Sequence, residues 1–239
     1  MGTAMEFGLT QLWTDGWFGA IAKGALITVL VSIAAMALGL LIGTLCGLTK
    51  WSRVPVLHWL VDGYTSVIRG VPELLIIYLL FFSSVEVVTK IANAFGFSGF
   101  AQAGYAFLIA VIAIGAISGA YSTEVVRGAL SSIPKGHLEA ARALGLPRGR
   151  IFRRIIFPQM MRIAVPGLNN IWQTTIKDTA LVSVVGLQEL MRTSYIGANS
   201  THHPFVFYMI AACVYLTITL TTQVGFDRIE RLLQFRKKA

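Results

Sequence analysis

The sequence predicts an all-α, polytopic membrane protein with five transmembrane helices, and three observations predict it. Mean hydropathy is +0.69 with 55% hydrophobic residues. Only 13% of residues are charged, against about 25% in soluble chains. The apolar residues also gather into runs long enough for a helix to cross a bilayer, while the basic residues gather between them.

The first run, residues 25–48 (ALITVLVSIAAMALGLLIGTLCGL), carries no charge and meets the roughly 20 apolar residues that a crossing needs. Trp13, Trp17 and Phe18 precede it as an interfacial aromatic anchor. No Lys or Arg comes before Lys23, so the N-terminus lacks the basic start of a cleavable signal peptide. The second run, 72–89 (PELLIIYLLFFSSVEVVT), is shorter and has Glu73 and Glu86 near its ends. Residues 104–123 and 204–226 supply the third and fifth spans. The fourth, 164–187, is weak on hydropathy alone because it holds Lys177, Asp178, Asn169, Asn170 and Pro166. Pro72 and Pro166 are expected to open spans two and four, where a missing backbone donor is tolerated.

Charge placement decides for the fourth span. With the N-terminus outside and five crossings, three basic residues fall between spans one and two, eight between spans three and four, and five after the last. Sixteen of the twenty basic residues then lie inside, as the positive-inside rule requires. The predicted organisation is an extracytoplasmic segment at 1–20, a permease domain at 21–229 with a cytoplasmic loop at about 127–162, and a basic cytoplasmic tail at 230–239. The net charge of +9 therefore reads as topology. A nucleic-acid surface would interleave aromatic residues with the basic ones, and Phe152 and Phe157 are too few.

The loop is more specific than its charge. Residues 134–146 (PKGHLEAARALGL) run Leu138, Ala141 and Leu144 at helical spacing and end on Gly145 and Pro147, both helix stop signals. They predict a short amphipathic helix with Ala140 and Ala141 together on a side open to a partner. Glu139 offers that partner an acceptor. A second helix is expected at about 148–162. No G-x-x-x-x-G-K-[ST] occurs in the chain, so no phosphate-cradling loop is encoded.

The spacing Glu139-Ala140-Ala141, Gly145, Ile155, Phe157-Pro158 resembles the EAA loop of ABC importer permease subunits, with Phe157 where Leu is more usual. The stretches IRGVPELLIIYLLFF (68–82), GAYSTEVVRGALSSIPKGHLEAA (119–141) and KDTALVSVVGLQELM (177–191) look like the polar amino acid permeases, closest to the branch for basic amino acids and opines. The resemblance covers roughly residues 20 to 235. It implies a type I importer core in the inner membrane, with half the translocation pathway in this chain. It also implies ATP-binding subunits that carry ATP and Mg, an identical or related second permease, and an extracytoplasmic solute-binding protein. No cofactor and no catalysis are expected in this chain. The residues carried over as ATPase-coupling are Gly136, Glu139, Ala140, Ala141, Gly145 and Pro158.

Candidates along the solute path are the polar groups at membrane depth, because ionisable groups there are costly and tend to be functional. They are Glu124, Asp178, Thr179, Ser183 and Glu189. Each has a plainer reading. Glu124 sits three residues before Arg127, an ion-pair spacing. Asp178 would pair with a nearby cation or cap a helix restarting at Thr179. Glu189 would be an ordinary interfacial residue. The competing class is an ion-coupled secondary transporter with Asp178 as its coupling carboxylate. His202 and His203 are adjacent and lack further ligands, so no metal site is expected.

Overall fold

The computed structural model describes residues 16–52, 55–94 and 102–235. Trp13, the third-span approach at 95–101 and the last four residues lie outside the described residues.

Helix α1 spans Trp17–Ser52. Its buried positions Gly24, Thr28, Ser32, Ala35, Gly39, Gly43 and Gly47 fall at helical spacing and form a stripe of small side chains. The stripe's first members, Gly24 and Thr28, meet the segment 189–193, and from Gly39 onward the stripe lies against α4, Gln102–Ser131. A Cβ on Gly39 would run into Ser118 and one on Gly43 into Ser122, and one on Gly47 would stand 2.8 Å from Val126 Cγ1. From the other side, a Cβ on Gly115 would meet Leu38 at 2.8 Å. The partners rise together, 39 with 118, 43 with 122 and 47 with 126, so α1 and α4 run parallel. Between lipid-exposed helices there is no hydrophobic gain to bring them together, and small residues supply close van der Waals contact instead.

Two parallel helices joined in sequence need a return between them. It is provided by α2, Pro55–Gly70, and α3, Glu73–Ala94, which meet at 109°. The bend falls at Val71-Pro72: proline disfavours helical backbone in the residue before it, and Leu75 and Ile76 donate back to the Pro72 carbonyl at 3.0 and 3.2 Å to start α3. Tyr64 on α2 donates to the Ala116 carbonyl of α4 at 2.5 Å.

The loop begins with α5, Lys135–Ala143. Gly145 has φ +68°; its N–H reaches the Arg142 carbonyl at 2.9 Å and that of Leu146 reaches Ala141 at 3.2 Å. This is a Schellman ending, the role that a glycine one past the cap performs. Helix α6, Arg148–Ile151, passes through a π-helical turn at Phe152–Ile156 into α7, Phe157–Asp178. The wide turn sits just ahead of Pro158, whose ring cannot accept the normal spacing to the preceding turn.

Three expectations are corrected here. The second loop helix and the fourth span are one helical run, and Pro166 lies inside α7 rather than at its start. Interior proline is tolerated where neighbouring helices pack around it, and Gly167 packs against Val125 of α4. Nor does a helix restart at Thr179: α7 tightens into a 3₁₀ segment, Thr179–Val185, which stops at Gly186 with φ +94°.

Helices α8, Leu190–Thr201, and α9, Pro204–Phe235, complete the bundle. Gly167 lies by Val125 while Asp178 shares a cavity with Ser118, so α7 runs antiparallel to α4. Asn169 donates to Gln223 at 3.2 Å and Thr179 lies 3.5 Å from Tyr215, so α9 runs antiparallel to α7. By length and composition α1, α4 and α9 suffice to cross a membrane, and the bent α2–α3 pair makes a fourth candidate. Helix α7 is more polar, yet it packs between α4 and α9, both apolar enough to cross.

The α1–α4 contact makes a prediction. Gly43→Ala should destabilise by about 1–3 kcal/mol through overpacking, seen as a lower thermal midpoint of the purified protein by size-exclusion thermostability. Gly225→Ala is the control, since nothing lies within 4 Å of the added atom, and its midpoint should hold or rise slightly on helix propensity alone.

Candidate functional site: a coupling helix and an acidic cavity

Helix α5 rests on a core made by the end of α4 and the start of α7. Ala141, Leu138 and Leu146 pack with Val126, Leu130, Ile133, Ile156 and Met160. His137 Nδ1 lies 3.0 Å from Gln159 Oε1, tying α5 to α7. This placement corrects one detail. Ala140 and Ala141 do not share an open side: Ala141 is buried against the core, and Ala140 is exposed. The outward ridge is Gly136, Glu139, Ala140, Ala143 and Leu144, the last 79% exposed. Pro158 does not reach the ridge and is half-buried at the head of α7. A small-residue ridge with one apolar tip and one carboxylate suits a groove on another protein rather than water.

The solute-path candidates separate into three places. Glu124 belongs to an ion cluster. Lys50, 6% exposed, lies 2.5 Å from Glu124 and 2.6 Å from Asp62, and donates to Thr65 at 2.8 Å. Arg127 holds the other Glu124 oxygen at 2.8 Å. The i,i+3 pairing was expected; Lys50 and Asp62 were not, because they arrive from two other helices. The cluster ties α1, α2 and α4 together beside the start of α5.

Glu189 is fully buried and fully occupied. It caps α8, accepting from Met191 N at 2.8 Å and Arg192 N at 2.7 Å. It also accepts from Tyr215 at 3.0 Å and from Thr28 at 3.3 Å. Glu189 is no ordinary exposed carboxylate: it is enclosed by protein and staples α1, α8 and α9.

Asp178 lines a cavity of about 310 Å³ with Glu73, Ser118, Tyr121, Asn170, Thr174 and Thr175. The Glu73 carboxyl stands close to Asp178 and to the Tyr121 hydroxyl on the wall of this cavity. The Arg69 guanidinium stands 5.6 Å over the Tyr121 ring. Asp178 makes no side-chain cap, so the capping alternative is set aside. Thr179 donates to the Ile176 carbonyl at 2.7 Å, and neither it nor Ser183 lines this cavity. Sequence reasoning passed over Glu73 and Tyr121. The available signal was a carboxylate at the mouth of an apolar run, which reads equally as a helix-start residue.

Residues 39–234 match the family model described as binding-protein-dependent transport system inner membrane component. The chain belongs to that family. This permease is 43% identical to the nopaline transport system permease protein NocQ of Agrobacterium fabrum, over 95% of this chain and 96% of that one. It is 40% identical to the histidine/lysine/arginine/ornithine transport system permease protein HisQ of Escherichia coli, covering 90% and 94%. Among solved structures it superimposes on a chain of an amino acid ABC transporter with TM-score 0.75, 29% identity and coverage of 92% and 97%. An inward-facing MetNI methionine transporter structure shares the fold at TM-score 0.75 and 18% identity, covering 95% and 99%. The permease is thus an inner-membrane transport subunit of the ABC importer fold and not an enzyme. The ion-coupled alternative gains no support from these matches.

The cap geometry makes a prediction. Glu189→Ala strips acceptors from two backbone N–H groups and two hydroxyls, a loss of about 1–3 kcal/mol, so the thermal midpoint should fall. Glu189→Gln retains one carbonyl oxygen and should lie between the two. An unchanged midpoint with weakened solute dependence would instead put Glu189 in the solute path.

Proposed function

We propose that this permease forms half of the pathway of an ATP-driven importer for a basic amino acid or an opine. The observation that carries the substrate class is the paired carboxyls of Glu73 and Asp178 in one cavity at membrane depth. Two carboxylates repel unless a positive charge or a proton stands between them, and a cationic side chain satisfies both. The transport systems of the relatives, for nopaline and for histidine, lysine, arginine and ornithine, support the same class.

On α7, Asn170, Thr174 and Lys177 recur at helical spacing and are exposed. Polar groups at that depth are expensive against lipid, which supports a water-lined path shared with a second permease, identical or related. ATP and Mg bind on separate ATPase subunits that grip the Glu139–Leu144 ridge, with Gly145 and Pro158 fixing its two supports. A solute-binding protein delivers cargo at the opposite face. Closure of the ATPases moves α5, and with it the joined ends of α4 and α7 whose far turns line the acidic cavity.

The test is ATP hydrolysis by the complete transporter in nanodiscs, with the loaded binding protein added. Glu139→Lys should abolish stimulation while leaving the complex membrane-inserted. Asp178→Asn and Glu73→Gln should each raise the solute concentration for half-maximal stimulation of hydrolysis roughly ten- to hundredfold, the worth of a hydrogen bond to a charged group. Unaltered solute dependence in both carboxyl variants would remove the cavity from the path.

A further inference from the structure

A second, larger cavity borders the ion cluster and shares no lining residue with the acidic cavity. It measures about 770 Å³ and is bordered by Lys50, Trp51, His58, Arg127, Lys135 and Leu138, among others. Its walls come from the α1–α2 elbow, the end of α4 and the start of α5. Two carboxylates, Glu124 and Asp62, answer Lys50 and Arg127. Lys135 has no ion-pair partner among the described residues, so one surplus positive charge faces the cavity.

The outer side of the elbow is apolar. On α2, Val56, Trp59, Leu60 and Val67 are exposed at helical spacing, Trp59 to 75%. Thr65 is the buried residue of this helix, and Asp62 points to Lys50. Sixteen residues bent away from the next helix make an amphipathic element suited to the membrane interface. The positive-inside rule places this end at the cytoplasmic leaflet, where anionic lipids attract basic pockets.

We propose that this cavity holds the headgroup of an anionic phospholipid, with its acyl chains along the apolar face of α2. The lipid would brace the elbow against α5 and so support the helix that meets the ATPase. Trp51, at the cavity wall, sits where indole rings favour the headgroup level.

The test uses the intact complex with its ATPase, equilibrated with equal phosphatidylglycerol and phosphatidylcholine, and reads the lipids retained by native mass spectrometry. Wild type should retain phosphatidylglycerol preferentially. Lys135→Gln should lower that preference about fivefold, the ratio given by about 1 kcal/mol per lysine near the surface, and Lys135→Arg should restore it. Size-exclusion of each variant confirms assembly before the lipids are read. Excess inorganic phosphate should leave retention unchanged; displacement by it would identify a soluble phosphate as the ligand and overturn the lipid. Equal retention of both lipids by wild type would overturn it, as would a Lys135→Gln complex that keeps the preference. Loss of the ATPase with the preference intact would make the cavity a protein contact and also defeat the proposal.

Discussion

Everything else in this permease depends on how closely α1 and α4 approach. Three glycines at four-residue spacing bring one backbone against Ser118, Ser122 and Val126 of the other. In lipid such contact substitutes for the hydrophobic effect, and a single added methyl group would part the helices. The parallel pairing sets Lys50 opposite Glu124. It lets α4 present its C-terminal end to α5 and a middle turn to the acidic cavity. One helix pair thus supports both the helix proposed to meet the ATPase and part of the proposed solute path.

Burial alone does not tell what an acid in this bundle does; its partners do. Glu189 and Asp178 are both buried. Glu189 has two backbone and two hydroxyl donors, which leaves it nothing to offer a ligand. Asp178 shares its cavity with a second carboxyl, Glu73, an arrangement that a cation completes. Glu124 is a third solution, neutralised by Lys50 and Arg127. The division between scaffold and path follows from these three environments.

Much of this was legible in the residues. The long apolar runs, the basic segregation and the Gly145 stop all act through local physics, and α5 with its left-handed Gly145 appears where those signals put it. What failed was the reading of features whose meaning depends on packing. Pro166 looks like a helix start until Gly167 is seen against Val125. Ala140 and Ala141 are neighbours in sequence, but their Cβ atoms point about 100° apart on a helix, so one meets the core and the other the solvent. Glu73 and Lys50 gain their roles from partners more than seventy residues away, Asp178 and Glu124, which no local pattern announces.

The central claim is that the exposed ridge of α5 is where ATPase motion enters the bundle. The most direct measurement is disulfide cross-linking from Leu144→Cys, in a chain whose Cys46 and Cys213 are replaced, to single cysteines in the groove of the ATPase subunit. The account predicts rapid cross-linking at position 144, none from a lipid-facing control at Leu216→Cys, and lost coupling of hydrolysis to transport once the bond forms. Absence of a cross-link from 144 in an assembled, active complex, with transport unaffected, would contradict it.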